Sequence, residues 1–289
     1  MTREDTKGAR ERMSTGIGWS LLLSVMVIGL GVAPAAAAPK AEPWPFWAAN
    51  DPASQVHVDH APWDRFLKKH VVTNPPSGVN QVRYAAVPPE DRKSLDAYIQ
   101  RLQQVAVTRI NRSEQKVYWI NLYNALTVKV VFDHYPVKSI REINISPGLF
   151  SSGPWGATLL TIQGQKVSLN DIEHRILRPL WKDNRVHYAV NCASLGCPNL
   201  QPEAYTPENT ETLLEKGAWE YVNHPRGVLL AGDRLRLSSI YDWFQADFGG
   251  TEESVVRHLQ KYAEPGLAGK LTGFHGKLSY DYDWRINEP

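Results

Sequence analysis

One stretch, from Glu114 to about Phe132, constrains the fold more than any other. Its spacing is helical, yet it has no polar face: Val117, Trp119, Ile120, Leu122, Ala125, Leu126, Val128, Val130 and Val131 fall all round the axis. A helix that is apolar on every side has to be buried on every side, so the remaining elements must be arranged around it. Ser113 is its expected cap, with Glu114 in the first turn. Two amides interrupt the apolar surface. Asn121 and Asn124 are three residues apart and share a face. A buried amide without partners costs roughly 1–3 kcal/mol, so they either bond passing backbone or line a polar site, and the sequence leaves both readings open.

The elements available to surround this helix alternate in kind. Trp63, Phe66, Leu67 and His70 predict a helix from Ala61. Tyr84 to Val87 reads as a short strand, ended by two prolines. Lys93 to Ile110 is amphipathic, with Leu95, Tyr98, Ile99, Leu102, Val105 and Ala106 on one face. Hairpins are expected around Gln163-Gly164-Gln165 and Ala231-Gly232-Asp233. Helices are expected at Asp171 to Trp181 (capped by Asn170 with Glu173 three residues on), from Thr206-Pro207 to about Asn223, at Ser239 to Phe248, and from Glu252 to Tyr262 behind Thr251. Leu278 to Ile286 closes the chain as an alternating strand. The fold class is α+β: a single domain with a small, mostly antiparallel sheet around a buried central helix, and outer helices. The hairpins, a strand carrying His187 and the final strand would make the sheet.

The first residues point to export. Arg3, Lys7, Arg10 and Arg12 precede an uncharged stretch from Ile17 to Ala33, and Ala35 to Ala38 offer small-residue cleavage sites, with Ala35-x-Ala37 favoured because Pro39 follows Ala38. The expected organisation is a signal peptide over 1–37, an N-terminal extension over 38–90 packing on the body, and the main domain over 91–287. A retained anchor helix is the alternative. After cleavage, 28 Lys and Arg stand against 27 Asp and Glu. With no basic block, nucleic-acid binding is not expected, nor is a membrane span in the mature chain. The expected place is the periplasm or the exterior.

The polar centre is Arg185 to Leu200, RVHYAVNCASLGCPNL, with His187 and both cysteines of the chain. Its first half alternates like a strand and its second half is a turn. Two cysteines in an exported protein most simply form a disulfide, here Cys192 to Cys197, whose four-residue spacing a turn can close. The YWINLYNA run from Tyr118, the IEHRILRP run from Ile172, HYAVNCASLGCPNL from His187, IYDWFQADF from Ile240 and the closing YDYDW from Tyr280 together resemble the family catalogued as domain of unknown function 547. The resemblance spans about Asp91 to Asn287, although Gly196-Cys197-Pro198 differs from the Ser-Cys-Pro typical there. It implies one domain, with exported bacterial proteins among its relatives, and no established activity.

Candidate chemistry divides between binding and catalysis. For nucleophilic catalysis the candidates are His187, Cys197, Cys192, Glu173 and His174, since a thiol needs an imidazole to deprotonate it. A papain- or transglutaminase-like arrangement would place the cysteine at the start of the buried helix, where this chain offers Asn121 and Asn124 instead. His187, Cys192 and Cys197, with His174, supply soft ligands but not the spacing of a structural zinc site, so neither metal nor cofactor is expected. Glu173, Asp242, Asp247, Asp281 and Asp283 could work in pairs, or hold an ion-pair network with Arg178 and Arg185. The favoured reading is a non-catalytic binding or scaffold domain for a small molecule or protein, with Asn121, Asn124, Glu173, Arg178, Arg185 and His187 in a polar pocket beside the cysteine turn. The alternative is a Cys/His-dependent hydrolase or acyltransferase.

Overall fold

The computed structural model describes residues 39–148 and 152–289; the expected signal segment lies outside the described residues. Helix α1 (Ala61–His70) leads into the strand pair β1 (Val71–Val72) and β2 (Gln81–Val82). Tyr84 to Ala86 form a 3-10 turn where a strand was expected. Its Tyr84 hydroxyl is drawn into the interior by Asn287 Oδ1, at 2.9 Å. Helix α2 (Pro89–Gln103) begins on Pro89 and buries Leu95, Tyr98, Ile99 and Leu102.

Helix α3 (Arg112–His134) is the element the periodicity demanded. Every residue from Glu114 to Val128 is buried. Its cap is Asn111 rather than Ser113: the Asn111 side chain accepts from Glu114 N at 3.0 Å, and Ser113 Oγ donates to Asn111. Its core cluster draws Trp47 and, from α1, Trp63, Phe66 and Leu67 into the same interior as Trp119 and Leu122. The N-terminal extension is therefore part of this core.

Strands β3 (Leu160–Ile162) and β4 (Gln165–Val167) form the first hairpin, turned by Gln163 and Gly164 with φ of 46° and 77°. A π-helical segment (Asp171–Leu177) runs on into α4 (Arg178–Trp181), and α5 (Val186–Ala189) follows. Helix α6 is Thr210–Val222. The second hairpin is β5 (Val228–Ala231) and β6 (Arg234–Ser238), followed by α7 (Ile240–Trp243), α8 (Glu252–Tyr262), α9 (Pro265–Leu271) and β7 (Lys277–Asp281). Thr251 caps α8 in a reciprocal box with Ser254. These last elements enclose a second core cluster of Tyr188, Tyr221, Leu235, Leu237, Tyr241, Phe248, Val255 and Leu259.

The α+β class is as expected, but the sheet is not one sheet. The strands form two separate pairs and one three-stranded sheet, β5-β6-β7. Within it β7 runs parallel to β6. Three helices intervene between them, and a connection of that length permits parallel pairing where a hairpin turn cannot. His187 contributes to no strand. Val190 N bonds Val186 O at 3.2 Å and winds the segment into the short helix α5.

The two asparagines of α3 hold backbone on both sides. Asn121 donates to Tyr205 O (2.8 Å) and accepts from Tyr205 N (3.0 Å); Asn124 donates to Ala189 O (2.8 Å) and accepts from Asn191 N (2.8 Å). Replacing Asn124 with Ala leaves a buried carbonyl and a buried N–H unpaired. We expect Asn124→Ala to lower unfolding free energy by about 2–3 kcal/mol in urea denaturation, against a change within about 0.5 kcal/mol for the exposed control Glu90→Ala.

Candidate functional site

The site is built where the two core clusters meet. From Asp171 the chain takes wide π turns, with Arg178 N bonding Glu173 O, five residues back. Single π turns inside helices recur at functional sites. Asn170 does not cap this helix, because its own backbone is already helical. Ser168 and Asp171 serve instead: Asp171 Oδ2 accepts from Ser168 N (3.0 Å) and Oγ (2.6 Å), and Ser168 Oγ accepts from Asp171 N (3.1 Å). The wide turns present Glu173, His174 and Arg178 inward, all three buried.

These side chains meet His187 and a residue from far along the chain. Asp247, on the 3-10 turn Gln245–Phe248, receives two donors on one oxygen: His187 Nε2 at 2.7 Å and Arg178 Nε at 2.6 Å. Burial pushes the Asp247 carboxyl up, but these two partners outweigh it and hold the group well below the usual carboxylate range. The His187 ring lies flat on Phe244, centroids 4.3 Å apart, and the Arg178 guanidinium stands over the same ring at 4.7 Å. Arg178 Nη1 also donates to His174 Nδ1 at 3.0 Å. Burial lowers the His174 pKa, so His174 is the neutral acceptor this bond requires. On the other side, the Tyr123 hydroxyl donates to Glu173 Oε2 at 3.0 Å, and Glu173 Oε1 stands 3.9 Å from His187 Nδ1. Burial, reinforced by the Glu173 carboxylate, pushes the Tyr123 phenol well above its ordinary value and keeps it a donor.

The cysteine turn forms a second polar group. The closing segment clamps it: Leu195 N bonds Arg285 O and Gly196 N bonds Asp283 O, each at 2.8 Å, and Asn287 N bonds Ala193 O at 3.1 Å. Ala193 takes a left-handed φ of 59°. A Cβ on Gly196 would come within 2.8–2.9 Å of the Asp283 backbone, so this close crossing requires glycine. Cys192 and Cys197 are free thiols, where the sequence led us to expect a bridge, with Sγ atoms 2.6 Å apart. Cys197 Sγ accepts from Cys192 N (2.9 Å) and the Tyr282 hydroxyl (3.1 Å), and the same hydroxyl lies 3.2 Å from both Cys192 Sγ and Ser194 Oγ. Burial raises both thiols, but the donors around Cys197 outweigh it there, so Cys197 is the more acidic of the two. No imidazole hydrogen-bonds either sulfur among the described residues.

Beside the thiols lies a cluster of aromatic rings. The Tyr282 ring contacts Trp284 and Trp243, with centroids 4.6 and 4.9 Å away; Trp284 contacts Trp243 at 5.5 Å and Trp155 at 5.7 Å. All four rings are half-buried.

Of the expected site residues, Glu173, His174, Arg178 and His187 converge, and Cys192 and Cys197 face each other. Asn121 and Asn124 do not line a pocket, because their amides are committed to backbone. Arg185 belongs to a different network, with Asp183 (2.8 Å), Glu211 (2.9 Å) and Glu215 (2.7 Å). Sequence reading underweighted Asp247 and missed Tyr123, Phe244 and the four-ring face. A phenol between two buried amides, Asn121 and Asn124, was the available clue to Tyr123. Among the described residues, no group of three or more His, Cys, Asp and Glu could hold a metal ion, and no helix is long and apolar enough to cross a membrane. An open groove of about 440 Å³, lined by Val56, Val58, Leu102, Val105, Arg101 and Arg109 among others, shares no residue with this site.

Residues 107–222 match the family described as "Protein of unknown function, DUF547". The match supports the resemblance drawn from the motifs. The matched segment holds α3, the π segment, His187 and both cysteines; Asp247 and the Trp243–Tyr282–Trp284 rings lie beyond it. No curated protein and no solved structure matches the chain.

Asp247 is the shared partner of two buried groups, with Arg178 only 4% exposed in its side chain. Asp247→Asn leaves that guanidinium without its counter-charge, and we expect a loss of about 2–4 kcal/mol at pH 7. Because the folded pKa is depressed, the Asp247 contribution is fully present above its unfolded value near 4 and falls away as pH drops below it. Denaturant titrations of both proteins from pH 7 downward should therefore converge in the acid range; a constant difference down to pH about 2 would refute the assignment.

Proposed function

We propose that this chain is an exported, non-catalytic binding domain whose ligand meets the aromatic face over the cysteine turn, with the Glu173–His187–Asp247–Arg178 network as its rigid floor. One observation carries the choice of binding over thiol catalysis. His187 is committed through Nε2 to Asp247 and stacked on Phe244, and the sulfurs have only hydroxyls, a backbone N–H and each other as partners. A Cys/His nucleophile needs its base within hydrogen-bond reach. Export rests on the first 37 residues.

An oxidising compartment would convert the thiol pair to a disulfide, since closing to a bond length of about 2.05 Å requires only a small approach of the sulfurs. In mass measurement of the mature, unreduced protein after alkylation under denaturing conditions, we expect no label, and two labels after reduction. Labelling of either cysteine without reductant would sink the bridge.

The non-catalytic reading is tested with p-nitrophenyl acetate and reduced protein. We expect no turnover above that of a Cys192→Ser, Cys197→Ser double variant between pH 6 and 9, a range of about three units around neutral chosen to span thiol ionisation. Turnover in the parent that disappears in the double variant would establish the hydrolase instead.

A further inference from the structure

Resting on the bridge proposed above, and not on the ligand-binding reading, we infer that this bridge is an exchangeable one: an external thiol opens it by attacking Cys192 Sγ and expelling Cys197 as a thiolate. The turn makes the two sulfurs unequal. Cys192 is half-buried, whereas Cys197 is 4% exposed, so Cys192 is the residue of the pair that solvent reaches. The donors are distributed the opposite way. Cys197 Sγ accepts from Cys192 N at 2.9 Å and from the Tyr282 hydroxyl at 3.1 Å. Apart from Cys197, Cys192 Sγ has hydroxyls alone as partners, those of Ser194 and Tyr282, each at 3.2 Å. The sealed sulfur is thus the one set up to carry a negative charge, and a sulfur so placed leaves readily when its bridged partner is attacked.

A buried cation supports the same assignment. Arg226 Nη2 donates to Asn199 Oδ1 at 2.7 Å, but Arg226 Nε and Nη1 are sealed from solvent with no hydrogen-bond partner. The guanidinium stands 5.4 Å from the centre of the Tyr221 ring, and the Tyr221 hydroxyl reaches Gly196 O, next to Cys197, at 2.6 Å. Burial lowers the Arg226 pKa, and the groups whose negative charge would oppose that are Tyr221, Cys197, Tyr282 and Glu220. Burial holds the Tyr221 and Tyr282 phenols well above their ordinary value, so both stay neutral. Glu220 Oε2 receives Asn199 Nδ2 at 3.2 Å and is held behind that amide. Cys197 is therefore the anion that forms beside the guanidinium when the bridge opens. A buried cation without its full set of partners is costly, and the leaving thiolate reduces that cost.

The turn does not depend on the bridge for its shape. Asn191 Oδ1 accepts from Ala193 N and Asn191 Nδ2 donates to Pro198 O, each at 2.8 Å, and the closing segment adds the bonds from Leu195 N to Arg285 O and from Gly196 N to Asp283 O. With both thiols free, these bonds already hold the sulfurs 2.6 Å apart. A bridge across so short a loop removes little chain entropy, so it can open and close without unmaking the turn. In the opening step the external thiolate bonds to Cys192 Sγ, the Cys192–Cys197 bond breaks, and its electron pair stays on Cys197. A second external thiolate then attacks the external sulfur of the mixed disulfide, and the electron pair of that bond goes to Cys192 Sγ, which takes a proton from water. The two external thiols are oxidised to a disulfide, and the bridge is reduced by the same electrons. No imidazole is required, because the external thiol ionises in solvent before it attacks.

The test starts from the mature, unreduced protein treated with reduced glutathione, quenched with acid and mapped by mass spectrometry. Arg226→Gln, Arg226→Lys and Tyr282→Phe are run beside it, each checked for retained folding by circular dichroism. We expect the bridge to open in the folded protein, with the transient glutathione adduct on Cys192. Arg226→Gln and Tyr282→Phe should slow opening by about threefold or more, the size expected when the leaving thiol loses about one unit of acidity. Arg226→Lys keeps the charge and should slow it less. A second readout is independent of the rate: in reduced Cys192→Ser protein, adding Arg226→Gln should move the ultraviolet absorbance of the Cys197 thiolate to higher pH. An adduct on Cys197, or a bridge that opens only in denaturant, overturns the exchange. Unchanged rates together with an unchanged thiolate titration overturn the leaving-group assignment. If the unreduced protein already carries labels, the proposed bridge fails, and reduced protein mixed with glutathione disulfide decides the chemistry alone. An adduct on Cys192 that resolves to the bridge then supports the exchange, and unreacted thiols overturn it.

Discussion

Two asparagine side chains in the middle of the buried helix α3 tie the polar half of this protein to its hydrophobic core. Asn124 closes a pair of hydrogen bonds with Ala189 and Asn191, the backbone between His187 and Cys192. That stretch delivers both the imidazole and the first thiol, so their positions are set by the most deeply buried helix in the fold. Asn191 extends the tie. Its side chain accepts from Ala193 N at 2.8 Å and donates to Pro198 O at 2.8 Å, bracketing the cysteine turn from within. Asn121 repeats the device at Tyr205, where the chain leaves the turn for α6. Each bond is modest in net worth, but each is expensive to leave unmade in a dry interior. An apolar helix that buries amides can therefore specify which backbone lies against it, which its aliphatic surface alone could not.

The same logic explains why ionised groups collect at the junction of the two clusters. Arg178 and Asp247 come from opposite sides of that junction, and each would be costly to bury alone. Together with His187 Nε2 they satisfy one another, while the buried His187 Nδ1 has no hydrogen-bond partner. Phe244 fills the space between the π segment and α5, carrying the His187 ring on its face and the guanidinium at 4.7 Å. The pair thus fastens the segment around Phe248 to the π segment as well as neutralising charge. The closing segment does the equivalent for the cysteine turn with three backbone bonds, across a glycine that admits no side chain.

How much of this was legible in the sequence follows the range of the interaction. The buried helix, both hairpins and the Thr251 cap are local patterns, and they stand where the spacing put them. Cap residues slipped by two positions where neighbouring polar residues competed: Asn111 over Ser113, and Ser168 over Asn170. His187 was misplaced on a strand because HYAV alternates, while the helical turn is imposed by its surroundings and the Asn124 tie, about which a short alternating run says nothing. The parallel partner of β6 was hidden because its direction depends on how three helices return the chain. Glu173, His174, Arg178 and His187 could be nominated from residue type and motif. That Asp247 joins them, 60 residues from His187, could not, because nothing local to QADF distinguishes a buried counter-ion from a solvated one.

Two kinds of aromatic residue then have to be told apart. Most of the large rings among the described residues fill the two cores. Among them, the Tyr221 hydroxyl reaches Gly196 O at 2.6 Å and Ser238 Oγ at 2.7 Å. The rings beside the cysteine turn are only half-buried. Tyr282 has its hydroxyl on the sulfurs, so its inner edge is structural, while Trp243 and Trp284 pack against its ring. Stability alone would favour aliphatic side chains at such a margin, which cover the same seam without a donor to satisfy. Indoles there keep aromatic area at the margin of both clusters, beside a cysteine turn that the Asn124 tie holds in place. Rigidity beside an aromatic surface reduces the ordering cost of binding, and that connects the most buried helix of this fold to the rings at its margin.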